Sequence, residues 1–373
     1  MRRVPAWLPA ALGAVVMAAA GSLALRWHSG AAGEAALAPP AAPAVPARER
    51  REASGEAPVV FRAGFAMGSF VRITAAGPGA DRAAAAALQE LDRLDSLLDR
   101  FYPGSAVAAV NAQAGRARVP VPQEVAQLVE LALKIAERTG GAFDPTVGPL
   151  VDAWGFGSEF ERRRPARPPE QAAIERARRL VNYRDVKVER RDGEAWVGLA
   201  RPGMVLDLGA IAQGYGAERA AAVLRAHGVK SALVDVGGEI VAIGTRPSGP
   251  QGANRTAGSG PWRVGVRHPR FQDRLVATVL LEDRAAATSG DYERCFEYQG
   301  SRFGHVIHPF TGWPARGLVS VTVIHRSATV ADALATAVMV LGPEKGETII
   351  RSWPGAEAIL VDEHLNVRQV KGP

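Results

Sequence analysis

Between residues 330 and 341 the chain reads Val-Ala-Asp-Ala-Leu-Ala-Thr-Ala-Val-Met-Val-Leu, and apart from Asp332 and Thr336 every side chain in it is apolar. The run follows Ser320-Val-Thr-Val-Ile-His325, which has the β-branched character of a buried strand. A helix over 329–341 places Asp332 and Thr336 four residues apart, on one face and one turn from each other. Two oxygen donors on an otherwise apolar helix read as half of a hard-cation site. The competing reading is a buried polar pair satisfied by its neighbours.

The chain has 373 residues, 47% hydrophobic and 22% charged, normal values for one large or two ordinary globular domains. The net charge of +7 is mostly Arg spread along the chain, with clusters at 48–51 and 162–164. Neither cluster has interleaved aromatics or a nucleic-acid motif, so both read as solvated surface. The single cysteine, Cys295, excludes an intramolecular disulfide and a multi-thiolate metal site, and reads as packed.

Arg2 and Arg3 precede 19 uncharged residues, 7–25. A positive flank before such a stretch keeps the N-terminus in the cytoplasm and sends the rest across the membrane. The stretch is long enough for a membrane anchor and also reads as a signal peptide cleaved near Ala18-Ala19-Ala20; both readings stay open. Either way the body of the chain is expected outside the cytoplasmic membrane, on the periplasmic side. The division is then residues 1–28 as signal or anchor, 29–57 as an Ala/Pro-rich tether that cannot bury a core, and 58–373 as the folded domain.

Within that domain, strands are expected at 59–66, 70–75, 186–189, 194–199, 204–206, 231–236, 262–267, 275–281, 296–299, 318–324, 358–361 and 367–370. Helices are expected at 81–98, 122–139, 169–180, 211–227 and 329–341. Residues 158–170 read as a surface loop and the Gly-rich 249–260 as a mobile one. The mixture indicates an α+β fold in one interleaved domain, without internal repeats.

Four glycine-marked segments precede the helix at Asp332: Gly140-Gly-Ala-Phe-Asp-Pro-Thr-Val-Gly148, Val205-Leu-Asp-Leu-Gly-Ala-Ile-Ala-Gln-Gly-Tyr-Gly216, Val234-Asp-Val-Gly-Gly-Glu239, and Thr288-Ser-Gly-Asp291 with Gly304-His-Val-Ile-His-Pro309. The second is a strand turning through Gly209 into a helix, a start that attracts phosphate through its free amides. It is neither a Walker loop nor a dinucleotide fingerprint. Taken singly, each segment reads more readily as a structural turn.

In this order and spacing the segments resemble the ApbE family, the FAD:protein FMN transferases, over roughly residues 65–341. The resemblance rests on Gly141-Ala-Phe-Asp-Pro-Thr-Val-Gly-Pro-Leu150, Asp207-Leu-Gly-Ala-Ile-Ala-Gln-Gly-Tyr215, Thr288-Ser-Gly290 and Ala331-Asp-Ala-Leu-Ala-Thr336. Met67-Gly68-Ser69 and the Ser105-to-Asn111 spacing add to it. It implies a mainly antiparallel sheet with flanking helices. It also implies a Mg²⁺-dependent reaction that cleaves the FAD pyrophosphate, attaches FMN through a phosphoester to a Thr or Ser of an acceptor flavoprotein, and releases AMP. The acceptor expected is a protein of a membrane or exported redox system carrying an Asp-x-x-[Ser/Thr]-Gly-Ala-[Ser/Thr] motif.

Carried over residue by residue, the resemblance makes the Ala210 carbonyl the third metal ligand beside Asp332 and Thr336. It puts flavin contacts at Met67, Phe101, Ala142, Phe143, Asp144, Asp207, Gln213 and Val306, with Phe101 stacking on the ring. His305 becomes the candidate base that deprotonates or orients the acceptor hydroxyl. Three residues depart from the family pattern: Gln213 where many members carry Lys or Glu, His308 where an acidic or amide residue is usual, and Ser69 for Thr. Other readings are a non-catalytic FAD carrier, an FAD pyrophosphatase giving FMN and AMP, and a structural or adhesion module on a tether. Asp332 and Thr336 argue against the carrier, and the ordered glycine motifs against the module. With only two side-chain oxygens, the site is expected to bind metal weakly until FAD arrives.

Overall fold

A computed structural model describes residues 58–157, 160, 163–247 and 260–373. The targeting segment and tether expected in residues 1–57 lie outside the described residues, as does nearly all of the Gly-rich loop. Among the described residues no helix is long and apolar enough to cross a membrane.

The elements in chain order are β1 (Val59–Ala66), β2 (Ser69–Ala76), α1 (Ala80–Leu98), α2 (Ala106–Ala112), β3 (Val119–Val121), α3 (Gln123–Arg138), α4 (Gly148–Ala153), α5 (Gln171–Arg178), β4 (Val186–Arg191), β5 (Glu194–Leu199), α6 (Gly209–Ala226), β6 (Ser231–Val236), β7 (Glu239–Ile243), β8 (Trp262–Arg267), β9 (Leu275–Leu281), β10 (Ala285–Gly290), β11 (Cys295–Tyr298), β12 (Ser301–Gly304), β13 (Leu318–His325), α7 (Ala328–Arg351), β14 (Glu357–Asp362) and β15 (Val367–Lys371). The fold is α+β, as expected. Its centre is an eight-stranded sheet in the order β1-β2-β6-β7-β10-β13-β14-β15, antiparallel at every pairing.

The middle of this sheet is covered on both faces, which is why β13 is apolar almost throughout instead of alternating. On one face Val321 and Val323 meet Ala331, Ala335 and Val338 of α7 in the main core. On the other, Ile324, Ala286 and Ala242 meet Trp262, Val264 and Leu281 of the β8–β9 hairpin. From Ala331 to Val338 every residue of α7 except the half-buried Thr336 is buried, the packing that a helix without a polar face requires. It runs past its expected end at 341. Gly342 breaks the helical conformation (φ 75°, ψ −177°) and Pro343 starts a second segment that reaches Arg351.

Two expectations are corrected. Residues 204–206 do not form a ladder strand. Val205 makes a single parallel bridge to Val147, and Asn111 supplies the other partners: its Nδ2 donates to the Leu206 carbonyl at 2.9 Å and its Oδ1 accepts from the Leu206 amide at 2.7 Å. A side chain takes the place of a neighbouring strand. Conversely, Thr288-Ser-Gly290, read only as a motif, is the end of β10, a central strand. Its small residues, with Ala285 and Ala287 fully buried, let α7 lie close over the sheet.

Candidate active site

α6 and α7 touch at Gly214. A methyl group there would lie 2.4 Å from the Ala328 carbonyl oxygen and 2.7 Å from Asp332 Cβ, so glycine is what lets the two backbones meet. The Gly214 amide then donates to Asp332 Oδ2 at 2.9 Å. In a regular helix that amide would serve the carbonyl of residue 210. Here the helix is kinked at Ala210 (φ −89°, ψ 15°), and the carbonyl named as a ligand sits at that irregularity. One turn along α7, Thr336 Oγ1 lies 3.2 Å from Ser289 Oγ of β10.

Asp332 is only 6% exposed, and among the described residues no Lys or Arg forms an ion pair with it. Burial pushes its pKa up to about 7, while the Gly214 amide works in the opposite direction. A buried carboxylate with an adjacent hydroxyl and an irregular backbone carbonyl is a donor set suited to a hard divalent cation. The residues present therefore fit Mg²⁺. No cluster of three or more His, Cys, Asp or Glu side chains that could hold a metal occurs among the described residues, so any cation here depends on hydroxyl and carbonyl oxygens too.

The Met67 turn is latched to α6 beside this point. Met67 adopts a left-handed backbone (φ 54°), and Gln213 Nε2 donates to its carbonyl at 3.0 Å. Gly237 (φ 69°) completes the junction, since a methyl there would fall 2.5 Å from Ser69 Oγ and 3.2 Å from Gln213 Nε2. Gln213, one of the three residues that depart from the family pattern, thus keeps a hydrogen-bonding role.

Asp207 precedes α6, its Oδ1 accepting from the Gly209 amide at 2.8 Å. Its Oδ2 lies 2.8 Å from Arg100 Nε. Arg100, 8% exposed, also pairs with Asp152 at 2.7 Å and lies 4.0 Å over the Phe101 ring. Phe101 is 45% exposed, so its ring is open to a stacking partner on the side away from the guanidinium. Arg100 has no role in the sequence reading; its only signal there is adjacency to Phe101.

Asp144 behaves differently from the other cofactor candidates. Its Oδ1 accepts from the Thr146 amide and hydroxyl at 2.8 and 2.6 Å, and its Oδ2 from the Tyr183 amide at 3.0 Å. Burial raises its pKa against those hydrogen bonds. Both oxygens are engaged within the protein, so the carboxylate shapes the 144–147 loop. That loop reaches Asp207, whose amide donates to the Pro145 carbonyl at 2.8 Å. Ala142, Phe143 and Val306 put their side chains into the main core, where Met67 and Ala210 also pack.

His305 follows β12. Its amide donates to the Arg294 carbonyl at 3.0 Å and its ring meets Phe156 edge-on, 6.4 Å between centroids. Nδ1 is buried without a hydrogen-bond partner. Burial, with the Arg294 charge adding to it, lowers the His305 pKa to about 4, so the ring is neutral at physiological pH. His308 is also lowered by burial, and its Nδ1 accepts from the Phe310 amide at 3.2 Å. Cys295 is half-buried and its thiol pKa is raised by burial, as a packed cysteine requires.

The ApbE family profile matches residues 67–360, which takes in this whole arrangement. The chain is 40% identical over 313 residues to the FAD:protein FMN transferase of Treponema pallidum (strain Nichols), covering 81% of this chain and 83% of that protein. It is 35% identical over 295 residues to the FAD:protein FMN transferase of Escherichia coli (strain K12), covering 77% and 80%. Among solved structures, the ApbE protein of Thermotoga maritima superposes with a TM-score of 0.75 at 33% identity, over 84% of this chain and 97% of that one. The flavinyl transferase ApbE of Pseudomonas stutzeri gives 0.71 at 31% identity, over 85% and 95%. By family match, by relatives aligned along most of their length and by shared fold, the chain belongs to the ApbE family.

Proposed function

We propose that this chain is an FAD:protein FMN transferase that uses Mg²⁺, takes FAD as substrate, and moves FMN to a Thr or Ser hydroxyl of an acceptor flavoprotein with release of AMP. The observation that carries the cation part is the buried Asp332 carboxylate, without an ion-pair partner among the described residues and held by the Gly214 amide, one helical turn from Thr336. The names of its relatives support flavin transfer.

In the proposed reaction the acceptor oxygen attacks the phosphorus of the FMN half. A P–O bond to that phosphorus forms, the bond to the bridging oxygen breaks, and AMP departs with the electron pair. Asp332, Thr336 and the Ala210 carbonyl would hold Mg²⁺, which when bound neutralises pyrophosphate charge. The exposed Phe101 ring, braced by Arg100, offers the isoalloxazine a flat apolar partner. Asp207 and the Met67 turn border the kinked start of α6, the positive end of the helix dipole, which favours an anion. Neutral His305 lacks a partner at Nδ1, and an incoming acceptor hydroxyl would supply one while giving up its proton.

We also propose that the acceptor belongs to a membrane or exported redox system and that the domain works on the periplasmic side. Arg2, Arg3 and the apolar residues 7–25 support this, as an uncleaved inner-membrane anchor or a removed signal.

The deciding experiment incubates the protein with FAD, Mg²⁺ and a candidate acceptor domain, then reads flavin fluorescence on a denaturing gel. Covalent flavin on the acceptor with stoichiometric AMP is expected. FMN and AMP without labelled acceptor would mean hydrolysis; bound FAD with neither product would mean a carrier.

A further inference from the structure

Glu239, the last residue of the third glycine segment, has no role in the sequence reading. It opens β7, opposite Val236 across the turn from β6. It is 5% exposed, and Oε2 is buried without a hydrogen-bond partner. Among the described residues no Lys or Arg forms an ion pair with it. A lone buried carboxylate is costly unless a positive charge or a proton accompanies it.

The sheet register tells where this side chain points. Val241 pairs with Ala285 and Ile240 with Ala286, so continuing the ladder sets Glu239 opposite Ala287. Side chains alternate faces along a strand. Glu239 therefore shares a face with Val241, Ala287 and Ser289. Ala287 and Val241 pack into the helix-side cores, and Ser289 touches Thr336 of α7. That is the face over which α6 and α7 meet at Gly214 and Asp332, and β7 packs against both helices. After burial itself, the Asp332 charge is the largest influence on the Glu239 carboxyl, and both raise its pKa.

We propose that Glu239 is the second carboxylate of the cation site at Asp332, an inference that rests on the reading of that site as one for a divalent cation. Two carboxylates together with the Thr336 hydroxyl and the Ala210 carbonyl balance the charge of one divalent ion. The ion then binds before FAD. This reverses the expectation drawn from Asp332 and Thr336 alone, that metal affinity waits for the pyrophosphate.

The test measures Mn²⁺ binding by electron paramagnetic resonance on the full chain, stripped with chelator and free of FAD. Wild type is expected to take up one Mn²⁺. Glu239→Gln is expected to weaken binding roughly tenfold or more, the range seen when a supporting carboxylate is removed from a metal site. In EDTA it should melt no lower than wild type, because it relieves repulsion. Glu239→Asp keeps the charge and covers the case of a Gln variant that does not fold; it should retain more affinity than Gln. Unchanged Mn²⁺ affinity in Glu239→Gln, with loss in Asp332→Asn, would overturn the role of Glu239 and leave the cation site standing. Equal loss in Gln and Asp variants, or Mn²⁺ uptake only after FAD is added, would overturn it too. No uptake by wild type even with FAD would overturn the cation site itself.

Discussion

The Gly214 amide points across the helix boundary to Asp332 Oδ2, 2.9 Å away, and joins the first turns of α6 to α7. The hydrogen bond exists because residue 214 has no side chain: a methyl group would sit 2.4 Å from the Ala328 carbonyl. The same contact fixes the carboxylate proposed to hold the cation.

Gly214→Ala should therefore cost both stability and metal binding. Alanine gains about 1 kcal/mol in helix propensity. Overpacking a well-filled contact typically costs about 1–3 kcal/mol, and here the obstacle is backbone, which cannot rotate aside. The net expectation is a loss of up to about 2 kcal/mol, read from the urea midpoint at constant slope, with Mn²⁺ affinity falling as well. A stabilised variant with normal metal binding would mean that the helices separate easily.

Asp332→Ala should abolish most transfer while sparing FAD recognition. Loss of a preorganised electrostatic group commonly lowers kcat by about 10²–10³-fold. Phe101 and the Met67 turn remain in place, so flavin affinity measured by fluorescence quenching in EDTA should change little. Near-wild-type turnover would remove Asp332 from the reaction.

The low pKa of His305 has a signed consequence. Above about pH 6.5, the ordinary value, the ring is neutral in both folded and unfolded chains and this group favours neither. Between there and about 4 the unfolded chain takes up a proton that the folded one refuses, so stability falls as the pH is lowered through that window. His305→Gln should flatten this dependence in urea midpoints taken at pH 5 and 8. If the neutral ring accepts the acceptor proton, single-turnover transfer should hold steady down to about pH 5, whereas a drop centred on 6.5 would exclude it. His305→Ala should lose transfer with FAD binding intact.

Arg100→Ala leaves the Asp207 carboxylate largely buried without its cation and strips the Phe101 ring of its brace. Breaking a buried ion pair costs roughly 3–5 kcal/mol; Asp152 is 45% exposed and rehydrates, so about 3 kcal/mol is expected. FAD affinity should fall with it. Arg100→Lys should recover the charge but not the planar stack, leaving stability closer to wild type than flavin affinity.

Reading the chain as a string was most successful where chemistry is local. The i, i+4 pair at Asp332 and Thr336 and the turn at Gly209 follow from helical geometry over a few residues, and they lie where expected. The apolar run of α7 announced its burial in the same way. Local pattern failed at residues 204–206, where Asn111, 95 positions away, does the work of a strand, and at β10, whose Ala-Thr-Ser-Gly composition carries little strand propensity. Nor does local spacing show that the Asp144 carboxylate is engaged by Thr146 and Tyr183.

By itself the sequence determined the helix that presents two oxygens, the glycine turns and the family to which they belong, because each depends on short-range spacing. Only the tertiary structure decided what those oxygens face. The Arg100 brace on Asp207, the Gly214 contact and the Glu239 carboxylate join segments separated by about a hundred residues. No periodicity links such segments; sheet register and the closeness of two helices do.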